Sequence, residues 1–295
     1  MVKEEKRQRY DNVPYGDVME RLISLTFPAD HPYGHTTIGS MDDLNAATVA
    51  DVSDFFATHY LPNNAVLSIV GDVGAEQAFA KAETYFDSLP AGPLPPRPER
   101  TTLPPLTGLP RMETSADVPA DAVYLTWRLP ARDDVSFDAT DLAFSILGQG
   151  QTSRLHKQLV RRKELAEGTS ASTMGLIGGN SFGYVYGRAR DGVSPEALEE
   201  ALLEEIERIR DEGPSEIELR RAKAQYERQW LHELARVDSR ADALGEHATL
   251  LNDPHLVNSR IGTIDGIDAA AIADAVTDWF TVERRATLIY RQEHP

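Results

Sequence analysis

The sequence contains no cysteine. Disulfides, thiolate nucleophiles and Cys-ligated zinc are therefore excluded, and the redox character of the compartment stays open, periplasmic or cytoplasmic. Aromatic residues are sparse, at 7% of 295 positions. No uninterrupted apolar run is long enough for a membrane-spanning helix. The N-terminal MVKEEKRQRY is charged and has no apolar core, unlike a secretory leader. Basic residues are also under-represented: Lys and Arg number 30 against 47 Asp and Glu, a formal net charge of −17. Such a surface repels phosphate backbones and anionic lipid, which argues against nucleic-acid and membrane-surface roles. It favours basic peptides only weakly, because acidity serves solubility in its own right. What remains is ordinary globular composition, 41% apolar and 26% charged, in a chain long enough for one large or two medium domains.

What the chain does have is an internal repeat. Residues 38–56 read IGSMDDLNAATVADVSDFF and residues 261–280 read IGTIDGIDAAAIADAVTDWF. With one inserted residue they match at Ile38/Ile261, Gly39/Gly262, Asp42/Asp265, Ala46/Ala269, Ala50/Ala273, Asp51/Asp274, Asp54/Asp278 and Phe56/Phe280. Each copy precedes a β-rich segment, Ala65–Val70 and Ala286–Tyr290. Helices rich in Ala and Asp resemble one another by composition, but a shared start, length and following strand favour duplication. The offset, 38 to 261, is 223 residues. A proline-rich stretch between Leu89 and Pro110 reads as an extended linker, since proline removes backbone donors. The expected division is therefore residues 1–90 as the back part of a first unit, a linker at 91–110, and a second, homologous unit at 111–295. A matching first unit would begin about 110 residues before Met1.

Apolar spacing predicts the elements. Val18, Leu22 and Leu25 form one stripe of a helix, with Pro14 interrupting the pattern before it. Asp42 or Asp43 is expected to cap a helix running to about Tyr60, followed by a turn at 61–64, a buried strand at 65–70 and a helix from Gly74 to Leu89. In the second unit, Ala122–Leu129 alternates as a strand, and Ser136–Leu147 and Thr152–Arg162 read as helices. Gly168–Ile177 and Phe182–Arg190 read as a hairpin turning at Gly178-Gly179-Asn180. Helices then start at Pro195 and Pro214. The absence of a strict strand–helix–strand rhythm argues for α+β.

No residue pattern forms a complete site. The Gly-x-Gly of Leu147–Leu155 lacks the third glycine of a dinucleotide loop and the Gly-Lys of a P-loop, and it follows a helix rather than a strand. It reads as a helix–loop–helix turn. His31 and His35 have the spacing of a helical zinc pair, but Pro32 and Gly34 make the segment a loop. The remaining histidines match no ligand spacing. Glu4 and Glu5 head the first helix, where a solvated pair favoured by the helix dipole is the ordinary reading. Glu5, three residues after Val2, leans toward that apolar side.

Several segments together resemble a known family. Val2-Lys3-Glu4-Glu5-Lys6-Arg7-Gln8-Arg9, Asp11-Asn12-Val13-Pro14-Tyr15-Gly16, His31-Pro32-Tyr33-Gly34, Ile38-Gly39, Tyr60–Ala65, Val70-Gly71-Asp72-Val73 and the glycine-rich loop Leu147–Leu155 resemble the pitrilysin/insulinase zinc metallopeptidases. The resemblance implies an α+β fold of two related α/β sandwich units, each an antiparallel or mixed sheet with helices packed on a face, the first incomplete here. It implies zinc held by an inverted H-x-x-E-H motif, whose glutamate acts as base, and by a third ligand, a glutamate in a Val-Val-x-x-Glu-like segment. By that match Glu5 is the third zinc ligand. H-x-x-E-H itself is absent from these 295 residues, and one carboxylate cannot hold zinc. The family also grips substrate with an Arg and a Tyr at positions occupied here by Val160 and Glu167. The expectation is a fragment of a zinc endopeptidase, inert alone with no zinc bound. It would act on peptide or protein substrates within a clam-shell formed with a second half or subunit. The alternative is a non-catalytic scaffold or partner subunit. An incomplete first unit is also expected to associate through its exposed sheet.

Overall fold

The structure, a computed structural model, describes residues 1–293. Helix α1 (Val2–Lys6) continues as a π-helical turn, Arg7–Asp11, before α2 (Val18–Thr26). Next come α3 (Met41–Ala46), α4 (Val49–His59), a 3-10 turn at Pro62–Asn64, and α5 (Ala75–Phe86). After the proline-rich stretch follow β1 (Arg111–Ala116), β2 (Ala122–Leu129), α6 (Phe137–Gly148), a π-helical segment His156–Arg162, β3 (Ala166–Met174) and β4 (Ser181–Ala189). The chain then forms α7 (Pro195–Glu212), α8 (Glu216–Ala235), α9 (Val237–Leu250), α10 (Leu256–Asp265), α11 (Ala269–Trp279), a 3-10 turn at Val282–Arg284, and β5 (Ala286–Gln292).

The strands form one mixed sheet in the order β1-β5-β2-β4-β3, with β1 parallel to β5 and every other pair antiparallel. The α+β expectation is met. By contacts the chain divides into a sheet unit (Met1–Met41, Arg100–Lys223 and the chain from Gly266 onward) and a helical unit (Asp42–Glu99 and Ala224–Asp265). Contact units and repeat units are different divisions: α2 belongs by packing to the sheet unit, whatever its ancestry.

In the sheet unit, strand alternation sorts the core into two layers. Trp127 of β2 meets Phe144 of α6 and Phe280 edge-on, with ring centroids 6.2 and 4.4 Å away, and its indole N–H donates to Thr281 O at 2.7 Å. Each such buried ring contributes on the order of 1.5–3 kcal/mol by area. On the opposite face, Leu22 of α2 packs with Tyr124, Leu288 and Tyr290. Helix α7 starts at a Ser194 cap with Pro195 in its first turn, and ends at Gly213, whose φ of 67° favours glycine. Its buried Glu199 accepts from Arg111 Nη1 at 2.7 Å and Thr287 Oγ1 at 3.1 Å, tying the helix to β1 and β5.

The helical unit is built differently. None of its residues from Asp42 to Glu99 is buried, and the buried side chains there are Ala243 and His247 of α9 and Val257 and Ile264 of α10. The single helix expected from Asp42 to Tyr60 is two helices. Thr48 adopts extended backbone and caps α4 reciprocally with Asp51, so the preceding turn cannot continue. The buried strand expected at 65–70 is not formed: Ala65 is extended, but residues 65–70 are not buried and join no sheet among the described residues. The helix expected at 152–162 is π-helical over most of its length: the Lys163 amide donates to Gln158 O, five residues back, at 2.8 Å. The expected hairpin is present, with Gly178 at φ 87° in its connection.

Candidate functional site

Glu5 lies half-exposed on α1 and faces Arg9 Nη1 at 3.3 Å, an i,i+4 pair. Glu4 is engaged separately, accepting from Arg7 at 3.3 Å and Gln8 at 3.1 Å. Lys6, beside them, is buried; its ammonium donates to Glu20 at 3.3 Å and lies 5.9 Å from the centre of the Tyr10 ring. Among the described residues, no three His, Asp or Glu side chains converge as a metal would require. Tetrahedral zinc needs three protein donors plus water, so a single carboxylate does not fit the ion.

The two histidines of the His31-Pro32-Tyr33-Gly34-His35 segment diverge. His31 is buried and stacks on Phe27, with ring centroids 5.0 Å apart. The Tyr33 amide donates to its Nδ1 at 3.1 Å, which leaves Nε2 as the donor facing Thr101 O at 3.4 Å. The Tyr33 hydroxyl donates to Ile177 O. This loop is an anchor for the β3–β4 connection. A Cβ at Gly34 would stand 2.2 Å from Pro28 O, so the loop closes only around glycine.

The glycine-rich loop is also architectural. A Cβ at Gly148 would stand 2.0 Å from the Ala171 amide nitrogen, so glycine permits α6 to touch β3. Gly150 takes φ 76° to leave the helix. Arg154 then forks onto Glu218 of α8 at 2.9 and 2.8 Å and donates to Gly213 O at 2.7 Å. Burial pushes the Glu218 carboxyl up, but Arg154 and Ser215 outweigh it and hold it at about 2.

Val160 and Glu167 are not brought together by a shared contact. Val160 is half-buried and its carbonyl accepts from Arg190 at 3.4 Å, while Glu167 is exposed on β3 and pairs with Arg188 at 2.8 Å.

One arrangement escaped sequence reasoning. Tyr10 to Asp17, Ala116 to Val118 and Tyr290 line a cleft of about 550 Å³ beside α1. The Tyr290 hydroxyl donates to Asp17 Oδ1 at 2.6 Å, and Arg21 binds the other oxygen. Burial opposes ionisation of Asp17, yet the Tyr290 hydroxyl and Arg21 together hold its carboxyl below the ordinary range. Burial, with Asp17 alongside, pushes the Tyr290 hydroxyl well up. Tyr15, with φ 58°, stands edge-on to Tyr290 at 5.3 Å. The signal was the Asp11–Gly16 motif, but its partners on β5 lie more than 270 residues away and share no local pattern with it.

Residues 46–226 match the model of the peptidase M16 inactive domain. The chain belongs to this family. The resemblance to pitrilysin/insulinase-type zinc metallopeptidases is thereby borne out. The zinc protease PqqE of Helicobacter pylori is 30% identical over 261 residues, covering 85% of this chain and 56% of that protein. The zinc protease SCO5738 of Streptomyces coelicolor is 26% identical over 219 residues, 72% of this chain and 47% of that one. The chain thus spans about half the length of these relatives. Among solved structures, a Helicobacter pylori protease superposes with a TM-score of 0.89 at 24% identity, covering 98% of this chain and 70% of the other. A peptidase M16 inactive domain from Pseudomonas fluorescens superposes with a TM-score of 0.83 at 19% identity, covering 99% and 70%. These likenesses establish the fold. This M16 chain is related to zinc proteases, matches the family's inactive domain, and has no helix among its described residues long and apolar enough to cross a membrane.

Proposed function

We propose that the chain is the non-hydrolytic part of a zinc endopeptidase, working on peptide or protein substrates together with a polypeptide that carries H-x-x-E-H. The observation that carries this reading is the combination of M16 membership with the absence of that motif from the sequence. Glu5 is the one residue assigned to the metal, as third ligand. Its half-exposed carboxylate pairs with Arg9 at 3.3 Å, an exposed contact that a metal and two imidazoles would displace. The second half of a clam-shell would supply the substrate grip that Val160 and Glu167 do not.

The test is a fluorogenic-peptide assay with zinc titration. The chain alone gives no zinc-dependent hydrolysis. Assembly with an H-x-x-E-H polypeptide restores it, and Glu5→Gln lowers zinc affinity of that assembly at least about tenfold, since even outer-shell losses reach that size. Zinc affinity unchanged by Glu5→Gln would remove Glu5 from the site.

A second reading, a purely non-catalytic scaffold or partner subunit, is favoured by Glu167. It stands at the family's substrate-gripping position, engaged with Arg188 at 2.8 Å. Under it the assembly forms but Glu5→Gln changes neither zinc affinity nor turnover.

A further inference from the structure

Several stretches of backbone converge on the ring of His31. The ring is buried and stacks on Phe27, just past the end of α2. Its own loop supplies the Tyr33 amide, which donates to Nδ1 at 3.1 Å. The proline-rich stretch supplies Thr101 O, 3.4 Å from Nε2. The β3–β4 connection supplies Gly179, where an added Cβ would stand 3.8 Å from Cε1 of the ring and 2.6 Å from Thr101 O. Around this point the Thr101 amide donates to Gly178 O at 2.9 Å and the Leu103 amide to Asn180 Oδ1 at 2.7 Å. The Tyr33 hydroxyl donates to Ile177 O. The ring thus sits where the end of α2, the proline-rich stretch and the β3–β4 connection are fastened together.

An imidazole nitrogen accepts a hydrogen bond only while it carries no proton. With the Tyr33 amide directed at Nδ1, the ring proton belongs on Nε2, and one neutral tautomer is selected. A second proton would have to go to Nδ1 and would set N–H against N–H. Protonation and the Tyr33 bond therefore exclude each other. No neighbouring acid is placed to receive an imidazolium instead. Asp30 in the loop and Glu99 in the proline-rich stretch are exposed. Residues 175–180 of the β3–β4 connection carry no titratable side chain. On α2, Glu20 and Arg21 are engaged with Lys6 and Asp17. Arg100 pairs with Asp133, and Arg128 of β2 donates to Thr26 O and Pro104 O. The other histidine of the loop, His35, is exposed and faces Thr36 O at 3.2 Å.

We propose that His31 is a proton-operated pin. With the ring neutral, the loop, the proline-rich stretch and the β3–β4 connection are held together. When Nδ1 takes a proton, the Tyr33 amide is released and the fastening loosens, while the rest of the sheet unit stays folded. Histidine is suited to this because it titrates within the range over which natural environments vary, roughly pH 5 to 8. The pinned form holds one proton fewer at this ring than the released form. The fastening is therefore complete at high pH and is lost as acidification protonates the ring. The inference depends on neither zinc nor a companion polypeptide.

The chain has eight histidines, so the readout must be specific to this ring. The experiment is an imidazole nitrogen NMR titration of the full chain from about pH 8 to about pH 5.5, with amide exchange followed alongside and corrected for its intrinsic pH dependence. At the upper limit Nε2 of His31 carries the proton and Nδ1 does not. As Nδ1 is protonated, exchange of the Tyr33 and Thr101 amides speeds at least about tenfold, roughly the loss of one hydrogen bond, while residues 287–290 of β5 stay protected. In His31→Asn the side-chain oxygen stands close to the place of Nδ1 and accepts from Tyr33 without titrating, so the acid sensitivity of these two amides disappears. His35→Asn retains it. A proton on Nδ1 at the upper limit, a ring still neutral at the lower one, protonation that leaves Tyr33 and Thr101 protected, or equal acid sensitivity in His31→Asn would each overturn the inference. If His31→Asn does not fold, the titration of the unaltered chain and of His35→Asn decides the matter.

Discussion

Arg154 shows how a single residue converts a loop motif into architecture. Its guanidinium is 10% exposed and Glu218 15% exposed, and the fork between them joins the glycine-rich loop to α8. Arg154→Ala strands a largely desolvated carboxylate and costs about 2–3 kcal/mol, measured by urea unfolding. The same pair sets a pH dependence. Glu218 is depressed from 4.5 to about 2 in the folded chain. Its contribution is full above the unfolded value and is lost as pH falls from about 4.5 through about 2. Wild-type stability therefore declines across that window, and the decline is shallower in Arg154→Ala; parallel curves would refute the assignment. Gly148 makes a second residue-scale prediction. Gly148→Ala forces a methyl to within 2.0 Å of the Ala171 amide and costs roughly 1–3 kcal/mol, more than Gly150→Ala, where the added Cβ meets only its own φ of 76°.

At the scale of elements, amphipathic periodicity made α2 and α7 legible, because each buries its apolar stripe, and strand-forming composition made β2, β3 and β4 legible, because they pair in one sheet; α5 shows the helical spacing although none of its residues is buried. Periodicity misplaced what is decided by capping or by distant partners. The break at Thr48 depends on a reciprocal bond with Asp51, a signal present in the sequence but weaker than the Asp42-Asp43 pair that competed with it. Thr48→Ala removes the cap and costs about 0.5–2 kcal/mol of α4 stability, read as faster amide exchange in Val49–Asp54. Residues 65–70 have the composition of a strand, yet a strand exists only by pairing, and composition says nothing of whether neighbours are present. The family segments were recognisable as text, while the cleft between Tyr10–Asp17 and Tyr290 depended on contacts that no local window contains.

For the whole molecule, the sheet unit is a finished core, whereas the Asp42–Glu99 part of the helical unit carries core-type residues in water. A chain so divided unfolds unevenly: the sheet unit is predicted to melt cooperatively, while residues 42–99 exchange and proteolyse first. Chemistry divides in the same way. The fold is that of an M16 peptidase, but under the proposed function this chain contributes to zinc one carboxylate, Glu5, where the ion demands several donors. The most direct measurement is elemental analysis of the purified chain together with its hydrolysis of a fluorogenic peptide in the presence of zinc. Substoichiometric zinc and no chelator-sensitive turnover are predicted; one tightly held zinc per chain with hydrolysis abolished by a chelator would contradict the account.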